Sequence, residues 1–455
     1  MQPAEIERRT VSKVMWRLIP FMMLLYVFNY LDRANINVAK LKMIPELDLD
    51  DNIYGAGVAV FFVGYFIFEV PSNVMLERVG ARRWIARIMI SWGLISSLFI
   101  FVKGKWSFYA LRFLLGSAEA GFFPGMVLYL TYWIPARQRA RIGAIFMTSI
   151  AISGIIGNPL NGWIVEKANG FAGLSGWRWI FLVDGIPTIL LGCAVLFIFT
   201  DRPESAAWLS PEERGWLSAR MNDERLRTQS EHGRRNLMDA LRSGRVWLLS
   251  LIFTALVLGG FSIHYWIASV IEERYPREWI GAGMTTVPES IVGRLSAIPF
   301  FGAIIGMVLI GRIADGVKDK RNVVAVCMFM SCVGLLGVSL THDLISAIAF
   351  FTLAAVANLG ALAPFWTLPP LFLTGTAAAA GLAFINSWGN LGAGFGGNRL
   401  MGFLKTRYNT YAYGLWINAG ALLIGALLVL LLPIRTRPKS TALIPSESGA
   451  SAIED

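Results

Sequence analysis

Apolar residues along this 455-residue chain neither recur at the spacing of a half-buried helix nor alternate as in a strand. They gather into about a dozen runs of roughly 20 residues, each long enough to cross about 30 Å of hydrocarbon as a helix. The runs lie at roughly 14 to 36, 53 to 77, 84 to 102, 107 to 132, 142 to 165, 177 to 200, 246 to 271, 296 to 315, 322 to 341, 344 to 369, 376 to 403 and 410 to 433. This pattern predicts an all-α polytopic membrane protein with twelve transmembrane helices. Between runs six and seven, residues 201 to 245 hold nine arginines and eight acidic residues, dividing the spans six and six. The predicted organisation is an N-terminal segment (1–13), a six-helix bundle (14–200), a polar loop (201–245), a second six-helix bundle (246–436) and a disordered tail (437–455).

Composition sharpens this picture. Hydrophobic residues make up 55% of the chain and charged residues only 16%, which excludes a soluble globular protein. Net charge is +11, and its placement decides its meaning. With both termini in the cytoplasm, about 27 of the 41 Lys and Arg fall in cytoplasmic segments, about 11 on the other side and three in the membrane. The excess therefore encodes topology, and no nucleic-acid partner is expected. The first run is followed by Asp32 and Arg33 and lacks a cleavage site, so it reads as a retained span in what is expected to be a bacterial cytoplasmic membrane.

Cys193, Cys327 and Cys332 lie inside apolar runs, and His232, His264 and His342 show no paired spacing, so neither a metal centre nor an enzyme is expected. No cofactor is expected either. Gly392, Gly394 and Gly397 match G-x-G-x-x-G but follow no strand, and read as close helix packing.

The two halves repeat. Glu77, Arg78, Gly80, Arg82 and Arg83 after span two are echoed by Asp315, Gly316, Lys318, Lys320 and Arg321 after span eight, with the two acids 238 residues apart. Gly154 and Gly157 match Gly389 and Gly392 at an offset of 235. Internal duplication is the economical explanation.

This duplicated architecture with its loop motif resembles the major facilitator superfamily over essentially the whole chain. NYLDRANINVA (29–39), FFVGYFIFEVPSN (61–73), RFLLGSAEAGFFPGMVLYLTYWIPARQRAR (112–141) and GTAAAAGLAFINSWGNLG (375–392) resemble its anion:cation symporter branch, most of all the tartrate/phthalate permease type. The resemblance implies two pseudo-symmetric bundles working by alternating access, and import of tartrate, phthalate, hydroxyphenylacetate or sugar acids with protons. Three features depart from the pattern: Asn73 and Glu77 in the first loop motif, Arg294, and GFGGNR at 394–399.

Charges inside spans point to the chemistry, since each costs roughly 2.5 to 3.5 kcal/mol at a helix centre. Asp32 and Glu119 are the expected proton carriers, because a carboxyl in a low-dielectric cavity takes up a proton readily. The resemblance points to the same two acids, and structural pairing is the alternative for both. For Glu69 and Asp184 the structural reading leads. Arg33 is the candidate partner for an anion, since a guanidinium stays charged and meets a carboxylate with two parallel hydrogen bonds. Tyr26, Asn29 and Arg33 form one helical stripe, and Arg112 lies two turns before Glu119.

Tyr30, Tyr65, His264, Tyr265, Trp266 and Trp366 could add rings and donors, against ordinary packing; the resemblance favours Tyr30 and Tyr65. Asn158 and Asn161, and Asn386 and Asn390, show amides to one face of apolar helices, for the cavity or for helix-to-helix bonding. Pro364, Pro369 and Pro370 in span ten, with Gly116, Gly121, Pro124 and Gly125 in span four, read as bending points. Glu77, Arg78, Arg82, Arg83, Asp315 and Arg321 are expected to control conformation by engaging helix ends, or simply to enforce topology.

The expected function is a monomeric, proton-coupled importer of a small organic carboxylate, its partners being that anion, protons and the bilayer. The alternatives are an antiporter or exporter of a drug or organic anion, and a receptor-like protein without flux. Phosphate exchange would favour a second cavity arginine in span seven, and 246 to 271 contains none.

Overall fold

The computed structural model describes residues 3–230, 242–276, 279, 287–369 and 376–433. Pro370, residues 231–241 of the polar loop and the tail from 437 lie outside the described residues. The described residues form helices with short turns and no strand. The N-terminal half comprises α1 (Pro3–Glu46), α2 (Asp51–Val79), α3 (Ala81–Ser97), α4 (Lys105–Glu119), α5 (Phe122–Trp133), α6 (Ala136–Lys167) and α7 (Gly176–Ile198). After α8 (Pro211–Ser230), the C-terminal half comprises α9 (Gly244–Arg274), α10 (Glu289–Gly316), α11 (Lys320–Leu340), α12 (Leu344–Trp366), α13 (Thr376–Leu391), α14 (Arg399–Tyr408) and α15 (Ala412–Leu430).

Eleven stretches among the described residues are long and apolar enough to cross a membrane, counting α4 and α5 as one. The twelfth, 376 to 408, is interrupted: a π-helical segment, Gly392–Asn398, joins α13 to α14. The glycines there admit neighbours where a β-carbon would collide, Gly394 against the Phe62 ring and Gly397 against Leu258. The GFGGNR departure is thus a widened turn fitted to the other half, as π-bulges often are at functional sites.

Span four also differs from a single rod. The chain leaves helical geometry at Ala120 and turns through Gly121 at φ 85°, where a β-carbon would strike Ser72. Glu119 is therefore the last residue of α4. Outward faces carry Phe197, Leu190, Ile305 and Ile345, each more than 60% exposed, as helices in lipid require.

Helix α1 far exceeds the span read from hydropathy, because only its middle meets hydrocarbon. At its start Arg9 and Lys13 bind Glu213 of α8 at 2.8 and 3.0 Å. Against its burial, which raises it, the Ser210 backbone N–H and then these cations hold the Glu213 carboxyl down at about 2. At the far end Glu46 binds Arg178 of α7 at 3.1 Å. We call the first side, with α8, the N-terminal face and the second the opposite face.

The halves meet along α6 with α10 and along α2 with α14. Near the opposite face they approach backbone to backbone, at Gly55 against Asn398, Gly162 against Glu289 and Gly293 against Asn158.

Candidate functional site

A cavity of about 670 Å³, its opening included, lies between the halves. Tyr26, Tyr30 and Arg33 of α1, Tyr65 of α2 and Phe123 of α5 line one side. Phe253, Phe261 and His264 of α9, Asn358 and Trp366 of α12, and Asn386 and Asn390 of α13 line the other. Helical periodicity brings Tyr26, Asn29, Tyr30 and Arg33 to one stripe of α1. Seven aromatic rings and one cation thus face the same space.

Arg33 is the centre of the site. Its Nε donates to Glu119 Oε1 at 2.5 Å, a second guanidinium nitrogen pairs with the same oxygen, and Asn29 Nδ2 donates to it at 2.7 Å. The guanidinium lies 5.4 Å from the Tyr30 ring centre, 5.2 Å from Tyr65 and 5.7 Å from Phe61. Glu119 is fully buried, and its Oε2 has no hydrogen-bond partner among the described residues. A buried carboxylate is tolerated here because a guanidinium and an amide satisfy one oxygen.

The other expected proton carrier faces elsewhere. Asp32, one residue from Arg33, points into the N-terminal bundle, where Ser96 of α3 donates to it in a short hydrogen bond and Asn35 donates at 3.2 Å. The same Asn35 nitrogen donates to Asp184 of α7 at 3.2 Å. Arg112 is fully buried too, but its head lies over Phe61 at 4.7 Å with a 3.4 Å bond to the Gly57 carbonyl. Among the described residues its Nη1 has no hydrogen-bond partner. Neither Asp32 nor Arg112 is on the cavity wall.

Asn158 is likewise off the wall, donating to the Gly154 carbonyl at 2.9 Å beside α10. Asn386 lines the cavity yet spends its amide on Glu69 across the halves at 3.0 Å, and Ser387 makes a short bond to the same carboxylate. Asn390 donates to Asn386 Oδ1 at 3.2 Å, so a chain of amides runs from the cavity to Glu69. Glu69 is thereby an inter-half contact. His264 holds the Gly260 carbonyl with Nδ1 at 3.0 Å and leaves Nε2 without a partner at the wall. Trp366 packs on Phe253 with ring centres 4.9 Å apart.

Toward the opposite face lies Lys40, outside the predicted span and absent from the expected site. It is 4% exposed, pairs with Asp51 at 2.5 Å and donates to Ser269 at 2.9 Å and Tyr411 at 3.2 Å. Rings of Trp266, Tyr54 and Tyr411 surround it at 4.4, 4.8 and 5.3 Å. Trp266 donates to Asn398 at 2.9 Å, and Tyr54 to the Tyr265 carbonyl at 3.0 Å. Trp266 and Tyr265 therefore serve the junction of the halves rather than the cavity. Asn358, a lone amide in an apolar span, was also missed; it bonds the Leu256 carbonyl at 2.9 Å.

The loop motifs need a correction in their acids. Glu77, Arg78, Arg82, Arg83 and Asp315 are exposed on the N-terminal face. The carboxylates that cap there are Asp201, accepting from the Arg82 backbone at 2.9 Å, and Asp319, accepting from the Arg321 backbone at 3.1 Å. A free helix N-terminus attracts whichever carboxylate the next loop delivers, and spacing alone does not reveal which. Arg321 does engage a helix end, reaching the Leu430 carbonyl at 3.4 Å and, more closely, that of Leu432.

The sequence profile of the Major Facilitator Superfamily matches residues 22–286. The chain belongs to the major facilitator superfamily. It is 42% identical over 439 residues to a protein of Agrobacterium vitis assigned by name to tartrate transport, covering 96% of this chain and 97% of that one. It is 36% identical over 425 residues to the quinolone resistance transporter of Acinetobacter baumannii, covering 93% and 95%. Among solved structures it is similar to the xylose transporter XylE from E. coli in a partially occluded inward-open conformation, with a TM-score of 0.73, 14% identity and coverage of 93% and 99%. The chain is thus a membrane transporter of small molecules with the helical fold of that superfamily, and not an enzyme.

Proposed function

We propose that this transporter imports a small organic carboxylate together with protons by alternating access, with both termini in the cytoplasm. The Arg33–Glu119 pair carries this reading. An incoming carboxylate competes with Glu119 for the same guanidinium, and a buried Glu119 stripped of its cation is stable only when protonated. Anion binding and proton binding are thereby linked at one residue. Relatives named for tartrate transport support the anion class.

The seven rings favour a flat, ring-bearing carboxylate such as hydroxyphenylacetate or phthalate over tartrate, with Asn358, Asn390 and His264 to read its second polar group. The test uses protein in liposomes with a pH dye inside and labelled hydroxyphenylacetate, phthalate, tartrate and sugar acids added singly. Internal acidification that accompanies uptake, and is lost in Glu119→Gln while counterflow persists, is the expected result. Flux with no proton movement in wild type defeats the coupling; no flux across the panel defeats the carboxylate.

A second reading is export of a ring-bearing drug, favoured by the aromatic wall and by the quinolone resistance relative. It predicts that a pH gradient drives accumulation of a fluoroquinolone in the opposite direction.

A further inference from the structure

The polar groups of the C-terminal wall retain mainly lone pairs for a cargo, and this fixes what they can read. His264 is 8% exposed, and its Nδ1 lies 3.0 Å from the Gly260 carbonyl oxygen. A carbonyl has no hydrogen to give, so Nδ1 carries the imidazole proton. Among the described residues no carboxylate is bonded to the ring, which packs against Tyr30 and Phe300 with ring centres 5.8 and 5.1 Å away. A neutral imidazole with its proton on Nδ1 presents Nε2 as a bare lone pair. That nitrogen is buried and has no hydrogen-bond partner among the described residues. A histidine in the sequence allows a donor or an acceptor at this place; the carbonyl one turn back on α9 makes it an acceptor.

Its neighbours agree in sense. Asn358 Nδ2 donates to the Leu256 carbonyl at 2.9 Å, which leaves Oδ1 against Gly260, where a β-carbon would stand 2.9 Å from it. Leu256, Gly260 and His264 follow one another at i, i+4 and i+8, a single stripe of α9 on the cavity wall. Asn390 Nδ2 donates to the Asn386 carbonyl at 2.9 Å and to Asn386 Oδ1 at 3.2 Å, so its own Oδ1 is what remains. The indole N–H of Trp366 is a donor on this side, and it serves one lone pair without balancing a charge. Among the residues lining the cavity the charged one is Arg33, on the facing wall.

We propose that the cargo is a ring-bearing acid with a single carboxylate and a hydroxyl or N–H at its far end, and that His264 Nε2 accepts from that donor. The proposal rests on the carboxylate reading above and narrows it: Arg33 takes the anionic end, and the opposite end brings the hydrogen. Tyr30 sits between the two poles, its ring centre 5.4 Å from the Arg33 guanidinium and 5.8 Å from the His264 ring, so one ring-sized molecule can meet both. A buried acceptor without a partner costs free energy until a donor reaches it, and a cargo with the right hydrogen recovers that cost on binding. A second carboxylate at the far end sets lone pairs against lone pairs and finds no cation there. Phthalate suits the rings but brings no hydrogen to this wall.

The test compares phenylacetates that differ in the para substituent alone. Protein in liposomes is preloaded with para-hydroxyphenylacetate, and unlabelled analogues compete for counterflow of the labelled compound. In wild type the para-hydroxy and para-amino acids are expected to compete about 10- to 100-fold better than para-fluorophenylacetate, which keeps the carboxylate and nearly the size but lacks the hydrogen. The para-carboxy acid is expected to compete no better than the fluoro compound. His264→Phe keeps a ring against Tyr30 and removes the acceptor, so the preference for hydroxy over fluoro is expected to fall to about twofold or less, through weaker binding of the hydroxy compound alone. Equal competition by the hydroxy and fluoro compounds in wild type, or strong competition by the para-carboxy acid, overturns the proposal and leaves the carboxylate reading standing; these wild-type ratios do not depend on the variant's folding. A full preference surviving in His264→Phe overturns the assignment to His264. No counterflow and no competition across the series defeats the carboxylate reading, and this one with it.

Discussion

The two halves repeat each other in fold but not in charge. Buried in the N-terminal half are Asp32, Arg33, Lys40, Glu69, Arg112, Glu119 and Asp184; among the described residues of the C-terminal half the buried charged residue is Glu289, at the outer end of α10. The C-terminal wall instead presents Phe253, Phe261, Trp366, His264 and three asparagines. The duplicated scaffold is thus unequal: one half holds most of the buried charges as well as four of the cavity rings, and the other presents only rings and neutral polar groups to the same space. The chemical driving force and the choice of cargo should be separable by mutation.

The hardest break should come at Arg33. Arg33→Gln leaves Glu119 buried without its cation and, under the proposed function, the anion without its charged partner. Truncating one partner of a buried charge pair weakens binding by about 2 to 5 kcal/mol, so counterflow at sub-saturating substrate should fall by roughly 30-fold or more. Retained counterflow would move the anion site elsewhere.

Across the cavity, Trp366→Ala should weaken binding of hydroxyphenylacetate by about tenfold, near 1.4 kcal/mol, without altering the protons moved per molecule. A changed proton ratio would show that the halves do not divide their tasks as described.

Lys40→Met removes a cation held by rings from both halves, worth about 0.5 to 2 kcal/mol. A cysteine placed at Ser269 in that background should react several-fold faster with a membrane-impermeant thiol reagent added at the opposite face. An unchanged rate would mean that the cage does not help to close that face.

The smallest effect should be at Glu213, outside the membrane. Its carboxyl is held down from an ordinary 4.5 to about 2. The stability it lends to the α1–α8 contact is therefore complete above its unfolded-state value and lost as pH falls toward 2. Limited proteolysis of α8 should accelerate across that acidic window in wild type, and Glu213→Gln should remove the dependence.

The spans, the duplication and the Tyr26–Asn29–Arg33 stripe could all be read from the chain, because hydropathy and helical spacing are local properties, whereas the pairing of Arg33 with Glu119 joins two helices and could not. What could not be read depends on contacts between distant segments. Lys40 sits in the charged run KLKMIPE, beyond any apolar window, and only folding supplies the rings of Trp266 and Tyr411. Asp32 and Arg33 are neighbours in sequence, yet a 100° step around the helix sends one behind the wall and the other into the cavity. Asp201 and Asp319 displaced Glu77 and Asp315 as capping acids for the same reason: a cap is chosen by where a loop ends.

The interruption of span four at Gly121 has a mechanical consequence. A continuous helix transmits rotation along its axis, but a rod with its hydrogen-bond ladder cut in the middle does not. Glu119, at the end of α4, is held by Arg33 of α1, while α5 is held separately through the ring stack of Tyr129 on Phe199, whose centres are 4.5 Å apart. The joint separates the charged centre from the outer shell of its own bundle, so a load on the Glu119 carboxylate passes to α1 through Arg33 without having to pass along α5.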